Sequence, residues 1–386
     1  MFQPSPLQSD QIRVLVNAIH SKSGGGVTYL RNVLPLLAKD QNLELHLYLH
    51  KDQLELFGVI EEGVQVHVLD FSNGFLATLL WEQCVLPIRA RRMSIDVTLS
   101  PANYGPLLAP RTIIMLRNSL AVAKRETRLF KRFYWMGLTL MTILSLIKCE
   151  RAIAVSTYAR KVLTFGMEKK LKHKVPVVYH GVNTEFQPLN YIKRQEFLLS
   201  VSDIYIQKNI HTLISAFSLV REKNPGLKLK LAGKAIDRGY QAEINEAIYS
   251  ANLESAVELI GEQTTKKLVH LYQSCALFIF PSTVETFGNP LVEAMACGTP
   301  IASSNTAAMP EILGDAATYF DPLDVKDMAN TIISILENKN ERQRLGALAL
   351  ERAKLFSWQK TAAQTASIIR SVASSGLDSI GVNSET

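Results

Sequence analysis

Cysteine is scarce in this 386-residue sequence: Cys84, Cys149, Cys275 and Cys297 are far apart, and none belongs to a CxxC pair. That spacing excludes a disulfide framework and the usual thiolate zinc sites, and it fits a reducing compartment. Long apolar runs are missing too. The longest, FYWMGLTLMTILSLI at 133–147, has 15 residues, short of the roughly 20 that span a bilayer. The opening MFQPSPLQSDQ has no basic stretch followed by an apolar one, so no secretory signal is expected and the expected location is cytoplasmic. No repeat recurs at about 20–50 residues, which removes solenoids and propellers. No aspartate-rich motif asks for a divalent cation, so no metal or cofactor is expected.

What is present describes an enzyme-like chain. A hydrophobic fraction of 47% and a charged fraction of 20% are those of a globular protein, and the length favours two domains. The net charge of +7 is uneven: residues 1–185 carry 23 Lys and Arg against 14 Asp and Glu, the remainder 19 against 21. A basic first half points to an anionic partner or surface, though not to nucleic acid. Its densest cluster is Lys124, Arg125, Arg128, Lys131 and Arg132, interleaved with Phe130, Phe133, Tyr134 and Trp135. Cations and rings in that mixture, followed by the apolar run, suit either a membrane interface or a buried helix with a solvated approach.

Short apolar runs alternate with amphipathic stretches along the whole chain. Strands are expected at 12–18, 43–49, 64–69, 97–100, 112–116, 152–156 and 175–179, then at 197–202, 227–232, 256–260, 277–280, 300–303 and 318–320. Helices are expected between them, for example at 211–223, 238–251 and 265–274. Several runs are apolar throughout, as buried parallel strands are. This alternation predicts an α/β protein of two Rossmann-like domains with a cleft between them. The polar, Pro-containing TEFQPLNYIKRQ places the boundary near 186/187, giving domains at 1–186 and 187–357. The small, polar 376–386 is expected to fray.

The most informative stretch is FPSTVETFGNPLVEAMACGTP at 280–300. After the strand, Pro281 and Ser282 open a loop. Asn289 reads as a helix N-cap with Pro290 at the first helical position, and Gly298 ends the helix. Amides near Gly288, Asn289 and Leu291 make an anion site reinforced by the helix dipole. Glu285 lies in the loop and Glu293 about one turn inside the helix. Carboxylates on either side of a phosphate suit a phosphorylated sugar, and from spacing alone both glutamates also fit a solvated face. A second glycine run, Gly24-Gly25-Gly26 before VTYLRNVLPLLA, reads as a loop entering a helix, with Pro35 inside it. It fails the dinucleotide fingerprint at Tyr29.

Residues 282–300 are similar to the Glu-x7-Glu motif of retaining glycosyltransferases of family 4, with every fixed position of S-x-x-E-x-F-G-x-P-x-x-E-A-M-A-C-G-x-P present. The resemblance covers most of the chain and is strongest over 175–365. SVSDIYIQKNIHTLISAF at 200–217, LAGK at 231–234, ELIGEQT at 258–264 and FSWQKTA at 356–362 fall in the family's order. It implies the GT-B fold, with a C-terminal helix at about 358–375 crossing back to the first domain. It implies transfer of a sugar from a nucleotide diphosphate to a glycan or polyprenyl-diphosphate-linked acceptor, with retention and without metal, in bacterial surface polysaccharide assembly. By resemblance Glu293 binds the ribose, Glu285 the transferred sugar, and Lys208 with the amides at Asn289 to Leu291 the diphosphate. Lys234 and Gly261 approach the donor, and Gly24, Gly25 and Gly26 face the cleft near its phosphates.

Two positions depart from the family. Ser202-Asp203 stands where members commonly carry Gly-Arg, so Lys208 needs help from Lys234 or Arg238. Arg117-Asn118 stands where many carry His-Asp. Asn118 there offers an amide to sugar hydroxyls and Arg117 a charge to an anion, while His180 is a further cleft contact or a plain loop histidine. A nucleotide-sugar epimerase on the same fold and a non-catalytic nucleotide-sugar-binding scaffold are the alternatives.

Overall fold

The computed structural model describes residues 11–22, 24–71, 74–119, 129–189 and 194–375, and for 129–133 the backbone alone. Two compact units emerge. The first comprises residues 1–155, 159–179 and 358–386, the second 156–158 and 180–357.

The first unit carries six parallel strands in the order β3-β2-β1-β4-β5-β6. They are β1 Ile12–Asn17, β2 Leu43–His50, β3 Val64–Leu69, β4 Val97–Ser100, β5 Thr112–Leu116 and β6 Arg151–Ala154. Position in the sheet explains composition. β4 and β5 are buried at every residue, whereas the edge strand β3 alternates polar residues and exposes most of its length. The Trp358–Ser374 helix belongs to this unit. Tyr29 OH lies 3.0 Å from Thr365 Oγ1, Thr361 Oγ1 donates to the Tyr179 carbonyl at 2.7 Å, and Arg370 pairs with Asp40. The strand expected at 175–179 reduces to one bridge, Ala154 to Val177, because Pro176 has no N–H to give a ladder.

The second unit repeats the plan in the order β12-β11-β10-β7-β8-β9. Its strands are β7 Gln195–Val201, β8 Lys228–Ala232, β9 Val257–Gly261, β10 Cys275–Phe280, β11 Ile301–Ser304 and β12 Thr318–Phe320. Leu213, Ile214 and Phe217 of the Ile210–Lys223 helix pack with Leu229, Leu277 and Ile332 in one core. Apart from 156–158, the second unit starts at His180, ahead of the boundary expected near 186/187. Val182 bridges Ser357 and the His180 ring packs 5.1 Å from Phe287, both partners lying within this unit.

The apolar run forms the Leu129–Lys148 helix, with Thr142, Ser145 and Leu146 buried and Met136, Leu140 and Ile147 exposed. Among the described residues no helix is long and apolar enough to cross a membrane. Lys124, Arg125 and Arg128 lie outside the described residues, as do the side chains of Lys131 and Arg132.

Candidate functional site

Strand order sets where a ligand goes. In the second unit the order reverses between β7 and β10, and a doubly wound sheet opens its crevice at that reversal, beyond the carboxyl ends of the strands. The loops after β7 and β10 supply Lys208 and Glu285.

After β7 the chain makes a single turn, Ile206–Lys208, and Asn209 follows in the left-handed region at φ 57°. The Asn209 side chain is 1% exposed and donates to the carbonyls of Pro281 at 3.1 Å and Pro322 at 2.7 Å. Thr283 N–H adds a bond to the Gln207 carbonyl at 2.9 Å. Both loops are thereby locked together, and Lys208 Nζ forms an ion pair with Glu285 Oε1. Lys208 also lies 5.2 Å from the Tyr205 ring centroid. Burial opposes the ammonium charge, yet Glu285 and then Tyr205 outweigh it and hold the lysine above its ordinary range. Asn209 and Tyr205 were not legible as site residues, although Asn before a helix is a boundary signal.

The helix after Glu285 runs Asn289–Ala296, and its N-cap is Gly288, not Asn289. Gly288 sits at φ 90°, where a Cβ would come 2.9 Å from Leu291 Cδ1, so glycine is required by conformation and by space. Asn289 instead turns its Oδ1 to His180 Nδ1 at 3.3 Å, with His180 buried. The Leu291 amide, expected to be open, donates to the Gly288 carbonyl at 2.9 Å. Pro290 has no N–H. Of the amides expected to meet an anion here, Gly288 and Asn289 are the remaining candidates.

Glu293, one turn on, is partly buried, and Tyr272 OH donates to its Oε2 at 3.0 Å. Burial pushes its carboxyl up to about 7, with the Tyr272 bond working the other way. A carboxyl raised above its unfolded value of 4.5 costs stability as pH climbs from there to about 7, and nothing more above it.

Lys234 and Gly261 stand on the next loops along the same sheet edge, after β8 and at the end of β9. Lys234 is exposed, and Gly261 (φ 67°) accepts the Gly233 amide on its carbonyl at 2.9 Å. Asp203, in the place of the family arginine, accepts the Lys234 amide at 3.2 Å, which ties the β7 and β8 loops.

In the first unit, Gly24, Gly25 and Gly26 are not a loop but the opening turn of the Gly24–Leu37 helix. Arg117 follows β5, its Nε donating to the Pro101 carbonyl at 2.7 Å. Its guanidinium lies so close to Gly26 that a Cβ there would be 2.3 Å from Nη2. Burial brings Arg117 down to about 10, so it stays charged at neutral pH. Asn103 Oδ1 accepts the amides of Arg117 at 2.9 Å and Asn118 at 3.0 Å, and Asn118 is exposed. Among the described residues no three His, Cys, Asp or Glu gather as metal ligands.

Residues 182–352 match the family model described as glycosyl transferases group 1. O-antigen chain mannosyltransferase B of Escherichia coli is 32% identical over 173 residues, 44% of this chain and 45% of that one. The chain spans about half the length, or less, of the curated relatives it matches. Sucrose-phosphate synthase of Thermosynechococcus elongatus superposes with a TM-score of 0.75 at 18% identity, over 95% of this chain and 100% of the other. HepE of Anabaena, solved with UDP and glucose, gives 0.73 at 18% identity, over 94% and 100%. Such likeness establishes the fold. Residues 182–352 belong to the group 1 glycosyl transferases, on a chain whose two doubly wound units have the GT-B fold.

Proposed function

We propose that this protein is a retaining, metal-independent glycosyltransferase that moves a sugar from a nucleotide diphosphate to a glycan or lipid-linked acceptor in surface polysaccharide assembly. The observation that carries the reading is the Lys208–Glu285 pair beside the Gly288 helix start at the β7/β10 reversal. As the bond to the diphosphate breaks, negative charge grows on the leaving phosphate. Lys208 and the Gly288 and Asn289 amides stabilise that charge in the role a metal plays elsewhere. Without donor, Glu285 neutralises Lys208. With donor, the phosphates take the ammonium and the sugar hydroxyls take the carboxylate. Front-face attack, with the leaving phosphate receiving the acceptor's proton, gives retention. The E. coli O-antigen mannosyltransferase supports the surface-polysaccharide setting and makes mannose the first donor sugar to test. The basic cluster from Lys124 to Arg132, with Trp135, is proposed to rest on the anionic inner face of a membrane, where a lipid-linked acceptor lies. Release of nucleotide from GDP-mannose or UDP-glucose should continue in excess chelator. Complete loss, restored by magnesium or manganese, would reject the metal-independent mechanism.

Glu293 gives this reading a pH signature. Ribose hydroxyls donate to a carboxylate better than to a carboxyl, so donor affinity should rise with pH up to about 7 and then level off. Below that point the slope should approach about tenfold per pH unit. Titration calorimetry with the nucleotide sugar between pH 5 and 8 checks this, and Glu293→Gln should flatten the profile.

A further inference from the structure

The first unit holds a polar cluster that the proposed donor site does not use. Its strand order reverses between β1 and β4, which places a ligand crevice beyond the carboxyl ends of those two strands. Asn17 ends β1 and Ser100 ends β4. Asn17 Nδ2 donates to Ser100 Oγ at 3.0 Å and to Glu82 Oε1 at 2.6 Å. Asn17 is 2% exposed, and its Oδ1 has no hydrogen-bond partner among the described residues.

Glu82 is fully buried, within the π-helical turn Trp81–Val85 that joins the Phe75–Leu80 helix to the Leu86–Arg92 helix. Pro87, near the start of the latter, has no amide for a regular ladder, and the wider turn accommodates it. The turn's second residue is thereby presented to the end of β1. Glu82 Oε2 meets His20 Nε2 at 3.0 Å, and His20 Nδ1 lies 3.3 Å from Tyr104 OH, the two rings 4.9 Å apart. Packing alone would favour an apolar side chain at a fully buried position. A carboxylate bonded in series to an imidazole and to the phenol of Tyr104, a residue of intermediate exposure, instead fixes the direction of every hydrogen bond. With Nε2 donating to Glu82, Nδ1 accepts the Tyr104 proton and the phenol oxygen keeps a lone pair for an outside hydroxyl.

We propose that Glu82, His20 and Tyr104 form a hydroxyl-binding relay in which Tyr104 accepts a hydrogen bond from an acceptor sugar and His20 and Glu82 position it. The proposal rests on the glycosyl-transfer reading and assigns the acceptor contact to residues outside Arg117, Asn118 and the glycine turn.

The test transfers labelled sugar from GDP-mannose or UDP-glucose onto an arrayed glycan panel, then measures kinetics on the best acceptor. Tyr104→Phe and His20→Gln should each lower kcat/KM for the acceptor about tenfold, through KM for the phenylalanine variant. Acceptor-free nucleotide release and nucleotide affinity should stay at wild-type values. Tyr104→Phe removes one oxygen and decides the matter even if Glu82→Gln does not fold. Unchanged acceptor kinetics in Tyr104→Phe, with nucleotide release intact, would overturn the relay and leave sugar transfer standing. A wild-type protein that neither releases nucleotide nor labels any glycan would sink both.

Discussion

Lys208→Met should lower kcat by about 10²–10³-fold, the usual cost of removing one preorganised group that receives developing negative charge. Methionine keeps most of the side chain's length, so packing against Tyr205 and Phe280 is largely kept and the charge is what goes. Some stability should go as well, since Glu285 is left half-buried without its partner. Single-turnover measurement separates the two effects, because a destabilised but folded fraction still turns over at the wild-type rate. Lys208→Met and Glu285→Gln act on one pair, so their combined cost should fall well short of the sum. A Lys208→Met protein with wild-type turnover would remove the lysine from the chemistry.

The largest stability effect should come from a single methyl group at Gly233. Its φ is 146°, and an added Cβ would lie 1.9 Å from the Ser202 carbonyl oxygen and 2.5 Å from its carbon. Both obstacles are backbone and cannot rotate away. Gly233→Ala should therefore cost about 3 kcal/mol or more, a fall of roughly 6–12 °C in the melting temperature of the second unit, which has the size of an ordinary domain. Gly261→Ala is the control. Gly261 also has a positive φ, 67°, but nothing lies within 4 Å of its added Cβ, so its cost should stay near 1 kcal/mol. Scanning calorimetry on both variants reads the difference. Equal melting temperatures would show that the Ser202 loop shifts freely, and the Asp203–Lys234 tie would then not hold the β7 loop in place.

Much of the fold was legible because buried parallel strands leave apolar runs that need no partner information. The runs at β2, β5 and β10 gave their strands to within two residues. Pro176 shows the limit, since a run can be apolar and still lack the donor that makes a ladder. Local chemistry misled at two helix starts. Asn289 has the side chain of a cap, but Gly288 reaches a backbone angle that only glycine takes easily, so the helix begins one residue sooner. At Gly24 the absence of side chains suggested a loop where the helix already starts. What the sequence hid depends on distant partners. Asn209 matters through carbonyls 72 and 113 residues away, and Glu82 through a histidine 62 residues away. No window along the chain contains either relation. Lys208 and Glu285, 77 residues apart, were each picked out, but their pairing appears only once β7 and β10 lie side by side.

The measurement closest to the central claim is the fate of a nucleotide sugar incubated with the purified chain in chelator, followed by proton NMR of the anomeric signals. Release of nucleoside diphosphate, with the sugar appearing on an arrayed glycan in the donor's own anomeric configuration and with both events lost in Lys208→Met, is the expected result. Inverted product, a donor epimerised in place, or a tightly bound donor that is never consumed would contradict it.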